Sequence, residues 1–265
     1  AWTERGPNNV GGRSRSILFD ASDNTDNTVF VGAVGGGLWY TNQFKSADPN
    51  WLPVNDFFEN IAVTAIAQDP NNPSVIYFGT GEGYYNGDAL RGNGIWKTTD
   101  GGSTWNQLSS TNNSTFYYVQ DMVVESENSY LFASTRDGGV QLSKDGGMTW
   151  TQVLGSSVGA GSTNRASDLE VGTNGVVYAT LGIFSTGAVY KTNTTGSSKG
   201  EVGNWTSITP SGNYHRIEIA VAPSNPNVIY ALCQDNAGYG VSGMFKSGDG
   251  GANWSPITIP SYYGG

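Results

Sequence analysis

The chain has 265 residues, 37% of them hydrophobic and 12% aromatic, with a formal charge of −9 from 22 acidic and 13 basic residues. An acidic surface repels phosphate backbones and anionic headgroups, which argues against nucleic acid as a partner. No apolar run approaches the roughly 18 residues of a membrane span, so no membrane insertion is expected. The aromatic content is wrong for disorder. Cys233 and His215 are the only residues of their types, which excludes an internal disulfide and any multi-histidine metal site.

In chain order, residues 1–12 come first. Ala1-Trp2-Thr3-Glu4-Arg5-Gly6-Pro7 matches Asn204-Trp205-Thr206-Ser207-Ile208-Thr209-Pro210, so an outer, ring-closing strand is expected there. Five similar units follow, at roughly 13–57, 58–112, 113–160, 161–212 and 213–262. Two of them carry a matching strand that enters a Pro/Asn turn, Ala65-Ile66-Ala67-Gln68-Asp69-Pro70 and Ile219-Ala220-Val221-Ala222-Pro223. A short β-rich run comes next: Val29-Phe30-Val31, Val75-Ile76-Tyr77-Phe78, Leu131-Phe132-Ala133, Val176-Val177-Tyr178-Ala179 and Val228-Ile229-Tyr230-Ala231. A glycine-rich segment then leads to a third strand such as Gly94-Ile95-Trp96-Lys97 or Gly243-Met244-Phe245-Lys246. No segment of helical length carries a 3.6-residue period.

Each unit closes on a hairpin and a tryptophan. Three copies are complete: Thr98-Thr99-Asp100-Gly101-Gly102-Ser103-Thr104-Trp105, Ser143-Lys144-Asp145-Gly146-Gly147-Met148-Thr149-Trp150 and Ser247-Gly248-Asp249-Gly250-Gly251-Ala252-Asn253-Trp254. Copies ending at Trp51 and Trp205 lack the aspartate. The five tryptophans recur every 45–55 residues, the length of a four-stranded propeller blade. Paired glycines supply the positive φ of a tight hairpin. Asp100, Asp145 and Asp249 are expected to accept N–H groups of their own turns rather than to act in catalysis. Trp105, Trp150 and Trp254 are expected to wedge between blades.

These motifs resemble the Asp-box (BNR) repeats of sortilin-type propellers, sialidases and xyloglucanase-type glycoside hydrolases. The resemblance implies an all-β fold, a β-propeller of four-stranded antiparallel blades. Five blades are present and the ring is expected to be completed by residues beyond this chain; closure by five blades alone is the alternative. The opening Trp2…Gly6-Pro7-Asn8-Asn9-Val10-Gly11-Gly12-Arg13 is similar to that of exported Bacteroidetes proteins with type IX secretion sorting domains. That likeness implies a secreted or cell-surface protein handled by secretion machinery through a C-terminal domain outside this chain.

Ligands of propellers meet the loops between second and third strands. The longest such loop is Gly79–Gly92, with Glu82, Tyr84, Tyr85, Asn86, Asp88 and Arg91; others bring Arg136, Asp137, Asp235 and Tyr239. Aromatic rings beside carboxylates and amides suit an extracellular glycan or protein ligand. The opposing reading is that Glu82, Asp88 and Arg91 pair among themselves. No catalytic residue is assigned. Xyloglucanase-type enzymes carry an aspartate where Val34 stands, and the Arg-Ile-Pro segment of sialidases is absent. No G-x-S-x-G elbow accompanies His215, which reads as an ordinary strand-end residue. No cofactor is expected, and no metal beyond a structural calcium ion that acidic Asp20–Asp26 leaves open. The expected function is non-catalytic binding or adhesion, with a glycoside hydrolase of divergent carboxylate pair as the alternative and an assembly scaffold as a third.

Overall fold

The computed structural model describes residues 13–55, 58–193, 195–237 and 240–259. They form five four-stranded antiparallel sheets, each a meander in chain order. Blade 1 holds β1 (Ser14–Phe19), β2 (Val29–Ala33), β3 (Gly37–Thr41) and β4 (Leu52–Pro53); blade 2 holds β5 (Val63–Gln68), β6 (Ile76–Thr80), β7 (Ile95–Thr98) and β8 (Asn106–Gln107). Blade 3 holds β9 (Val119–Val124), β10 (Leu131–Thr135), β11 (Gly139–Ser143) and β12 (Thr151–Leu154). Blade 4 holds β13 (Ala166–Val171), β14 (Val177–Leu181), β15 (Ala188–Thr192) and β16 (Trp205–Ser207); blade 5 holds β17 (Ile217–Val221), β18 (Ile229–Gln234), β19 (Val241–Ser247) and β20 (Ser255–Ile257). The second strands run slightly further than the sequence suggests: Gly79, Thr80, Ser134, Thr135, Leu181 and Gln234 are paired in the ladders, not free in the loops. The expected closing strand at 1–12 lies outside the described residues.

The core lies between blades rather than within them. One apolar cluster joins blade 1 to blade 2 through Phe30, Leu38, Val63 and Phe78, with Trp105 packed on it. Equivalent clusters join blades 2 and 3 with Trp150, 3 and 4 with Trp205, and 4 and 5 with Trp254. Full burial of such a side chain is worth about 1.5–3 kcal/mol, against about 1 kcal/mol net for a hydrogen bond. Group for group, packing between the sheets therefore contributes more than a ladder hydrogen bond.

The hairpins explain how the tryptophans are aimed. Asp100 accepts from Thr98 Oγ1 at 2.7 Å, Thr104 N at 2.8 Å and Thr104 Oγ1 at 2.6 Å. These bonds hold its carboxyl down at about 2. Gly101 and Gly102 have φ of 69° and 93°, and Trp105 Nε1 donates to Gly102 O at 3.0 Å. Asp145 accepts correspondingly from Ser143 Oγ, Thr149 N and Thr149 Oγ1, and Asp249 from Ser247 Oγ, Asn253 N and Asn253 Nδ2. Blade 4 lacks the aspartate and uses a buried lysine instead. Lys199 pairs with Glu125 at 3.0 Å and Glu127 at 2.6 Å, and donates to Gly175 O at 3.1 Å.

A second device repeats across the interfaces. An aromatic ring in the second strand of blades 1–4 lies against the next hairpin's glycines: Phe30 on Gly102, Tyr77 on Gly146, Phe132 on Gly200 and Tyr178 beside Gly250. Beside the tyrosines, a lysine donates to the same turn: Lys97 Nζ to Gly146 O at 2.9 Å and Lys191 Nζ to Gly250 O at 2.7 Å. Blade 5 carries the same couple, with Lys246 Nζ 5.8 Å from the Tyr230 ring. There the partner hairpin is missing among the described residues. Strands β2, β6, β10 and β14 are buried throughout, whereas β18 alternates, leaving Tyr230 and Leu232 each 40% exposed. Ile17 and Phe19 of blade 1 are likewise exposed. Among the described residues the two end blades thus present exposed apolar side chains.

Candidate functional site

Inner strands β1, β5, β9, β13 and β17 surround a polar cavity of about 260 Å³ lined by Arg15, Thr64, Gln120, Asp121, Asp168 and Glu218 among others. The β6–β7 loop crosses its mouth. It can do so because Gly81, at φ 94°, passes close to Tyr117 O and Gly92, where a Cβ would not fit. Gly83 N donates to Gln120 Oε1 at 3.0 Å. Tyr84 then drops over the cavity between two guanidinium groups, 4.4 Å from Arg15 and 4.0 Å from Arg216, and its hydroxyl donates to Ser167 O at 3.3 Å. One side chain from blade 2 thereby links blades 1, 4 and 5.

Beneath it lies a set of carboxyls with shifted acidity. Asp121 accepts from Leu169 N and Asp168 from Ile219 N, each tying its inner strand to the next. Desolvation raises Asp121 to about 6, raises Asp168 well above the ordinary range and raises Glu170 to about 7.

The residues singled out in the sequence fall into three environments. Glu82 is buried, with both oxygens 2.7 Å from Arg13 Nη2 and Asn86 Nδ2 at 2.8 Å, so its lone pairs are largely taken. Its partner is Arg13, not Arg91. Arg91 stacks on Tyr117 at 3.6 Å, and exposed Asp88 accepts from Asn86 at 2.6 Å. Asp235, in the β18–β19 loop, donates its N–H to Gly240 O. Tyr239 lies outside the described residues. In the acidic Asp20–Asp26 turn, Asp23 accepts from the backbone and side chains of Thr25 and Thr28, which holds its carboxyl well below the usual range. Among the described residues no group of three or more His, Cys, Asp or Glu is placed to hold a metal ion.

Tyr85, Arg136 and Asp137 do come together, and two residues not singled out in the sequence complete the group: Phe184 and Arg165. Tyr85 and Phe184 form an edge-to-face pair at 6.4 Å while remaining 42% and 49% exposed. Tyr85 donates to Asp137 Oδ1 at 3.2 Å. Arg136 pairs with Asp137 and lies 4.8 Å from the Tyr85 ring; Arg165 lies 4.9 Å from it. Tyr85 and Phe184 both have positive φ, 60° and 49°. A non-glycine residue held there costs about 1–3 kcal/mol, a strain that clusters at ligand-contacting sites. The signal for Phe184 was its place in a second-to-third-strand loop; its meeting with Tyr85 across blades was not readable.

No family model matches the sequence. Xyloglucanase Xgh74A of Acetivibrio thermocellus is 30% identical over 226 residues, covering 72% of this chain and 25% of that protein. The chain therefore spans about a quarter of the length of this curated relative. An ancestral GH74 enzyme superposes with a TM-score of 0.62 at 20% identity, covering 89% of this chain and 32% of that one. The extracellular domain of the hybrid two-component system BT4673 from B. thetaiotaomicron gives a TM-score of 0.62 at 11% identity, covering 98% and 29%. At these identities the solved structures share the fold with this chain, and that fold is the β-propeller.

Proposed function

We propose that the chain is a glycan-binding propeller that acts outside the cell, without catalysis, through the loop face of blades 2–4. The observation that carries this reading is the exposed Tyr85–Phe184 pair framed by Asp137, Arg136 and Arg165. Aromatic faces stack on sugar rings, while carboxylates and guanidinium groups bond their hydroxyls. Similarity to a xyloglucanase supports a saccharide ligand. Membership of the Asp-box repeat family is supported by the three aspartate turns. Surface display as an adhesin and passage through type IX secretion belong to the same reading; the extracellular domain that shares the fold supports only its place outside the cell.

A glycoside hydrolase is the second reading, favoured by the same relative. Such enzymes place two carboxyls roughly 5–9.5 Å apart across the scissile bond. Glu82 and Asp137 are each engaged by an arginine, and Asp121 and Asp168 each accept a backbone N–H of the neighbouring inner strand. Binding without cleavage fits these environments better. The test is a panel of plant and microbial oligosaccharides assayed both for binding and for release of reducing ends. Binding that is weakened at least tenfold by Tyr85→Ala, with no released product, is expected. Product release abolished by Asp137→Asn or Asp88→Asn would establish the hydrolase instead.

A further inference from the structure

We propose that the ligand of the Tyr85–Phe184 platform is an anionic saccharide, a uronate-bearing glycan whose carboxylate is taken by Arg165. This rests on the glycan-binding reading above and adds the charge of the ligand to it.

The chain's cations are sorted by type. All six described arginines, Arg13, Arg15, Arg91, Arg136, Arg165 and Arg216, belong to the loop face or the cavity mouth. The lysines serve the hairpin side, as Lys97, Lys191 and Lys199 do. Arginine's planar fork matches a carboxylate through two parallel N–H bonds, which an ammonium cannot reproduce. In a chain of net charge −9, six forks on one face are not accounted for by general basicity.

Three of the six are neutralised: Arg13 by Glu82, Arg136 by Asp137 and Arg216 by Glu218. Arg15 is committed under Tyr84 and Arg91 against Tyr117. Arg165 also lies over a ring, Tyr85 at 4.9 Å, but it differs in standing beside the exposed aromatic pair with no carboxylate within 4.0 Å among the described residues. Its Nη1 donates to Ile183 O at 2.8 Å and Phe184 O at 3.3 Å, which fixes the guanidinium plane. Those bonds use Nη1 alone, and the guanidinium carbon lies over the half-exposed Tyr85 ring at 4.9 Å, so Nε and Nη2 are the donors that remain for a ligand carboxylate. A sugar stacked on Tyr85 or Phe184 would bring an equatorial carboxylate to those donors. The protein's overall negative charge does not oppose this strongly, since charges beyond about 8 Å are screened at physiological salt while a direct fork contact is not.

The experiment compares oligogalacturonides with their methyl esters of equal length by titration calorimetry at physiological salt. The backbone is the same and only the charge differs. The free acids are expected to bind at least tenfold more tightly. The ratio is expected to fall toward one in Arg165→Gln and to be partly retained in Arg165→Lys, which keeps the charge but not the fork. Equal affinity for acid and ester, or a ratio unchanged in Arg165→Gln, would overturn the proposal. If Arg165→Gln does not fold, the acid-to-ester ratio on the unaltered chain decides it. A neutral oligosaccharide such as a xyloglucan fragment separates the two claims. If it binds and neither galacturonide does, the charge inference falls and the glycan reading stands; if no saccharide binds, both fall.

Discussion

The repeated tyrosine–lysine couple allows the open face of blade 5 to be tested without knowing what covers it. Lys97 and Lys191 are half-buried, each donating to a glycine carbonyl of the following blade, while Lys246 is exposed and has no such acceptor among the described residues. Lys→Met keeps the apolar stem and removes only the charged donor. A hydrogen bond from a charged group contributes about 1.5–3 kcal/mol, part of which partial solvent exposure removes, so Lys97→Met and Lys191→Met should each cost about 1–2 kcal/mol. For a chain of this size that is a fall in Tm of roughly 2–8 °C. The two sites lie in different interfaces, so the double variant should add to within about 0.5 kcal/mol. Lys246→Met should stay within about 0.5 kcal/mol of the unaltered chain. Urea unfolding monitored by tryptophan fluorescence measures all four. A Lys246→Met variant as unstable as the other two would refute the reasoning, because it would mean that Tyr230 and Lys246 already hold a partner.

Other expectations follow from the same contacts. Tyr84→Ala should cost about 3–5 kcal/mol by emptying the space between Arg15 and Arg216, and Tyr84→Phe under about 1 kcal/mol, because it loses only a 3.3 Å bond; denaturation midpoints check both. Glu125→Ala should cost about 2–4 kcal/mol, since it leaves buried Lys199 with Glu127 as its one remaining carboxylate and releases the N–H groups of Glu127, Asn128 and Tyr130. Asp121, Asp168 and Glu170 have carboxyls raised in the folded state. The folded chain then holds more protons than the unfolded one between about pH 4 and 7, so their contribution is full below about pH 4 and is lost as pH rises through that window. Stability measured from pH 5 to 8 should fall, and Asp121→Asn with Asp168→Asn should flatten the slope; a slope unaffected by both changes would count against the shared enclosure of these groups.

The periodic parts of the molecule were legible from residues close together in the chain. The Thr98–Trp105 hairpin, its two counterparts and the β-rich runs such as Val75–Phe78 carry their own turn chemistry and alternation, and local hydrogen bonds fix them wherever the blade stands. The loop face was legible only as a list of polar and aromatic residues. Glu82 looked available and is locked by Arg13, 69 residues away; Arg165 and Phe184 were passed over and stand beside Tyr85. Sequence by itself determined the blades, because hairpins and alternation are short-range. Only the tertiary structure decided which carboxylates are spent, which ring is buried in the cavity mouth and which stays open to solvent. Those outcomes depend on the curvature of five stacked sheets, which brings loops from separate blades together, and on the desolvation that this closeness imposes.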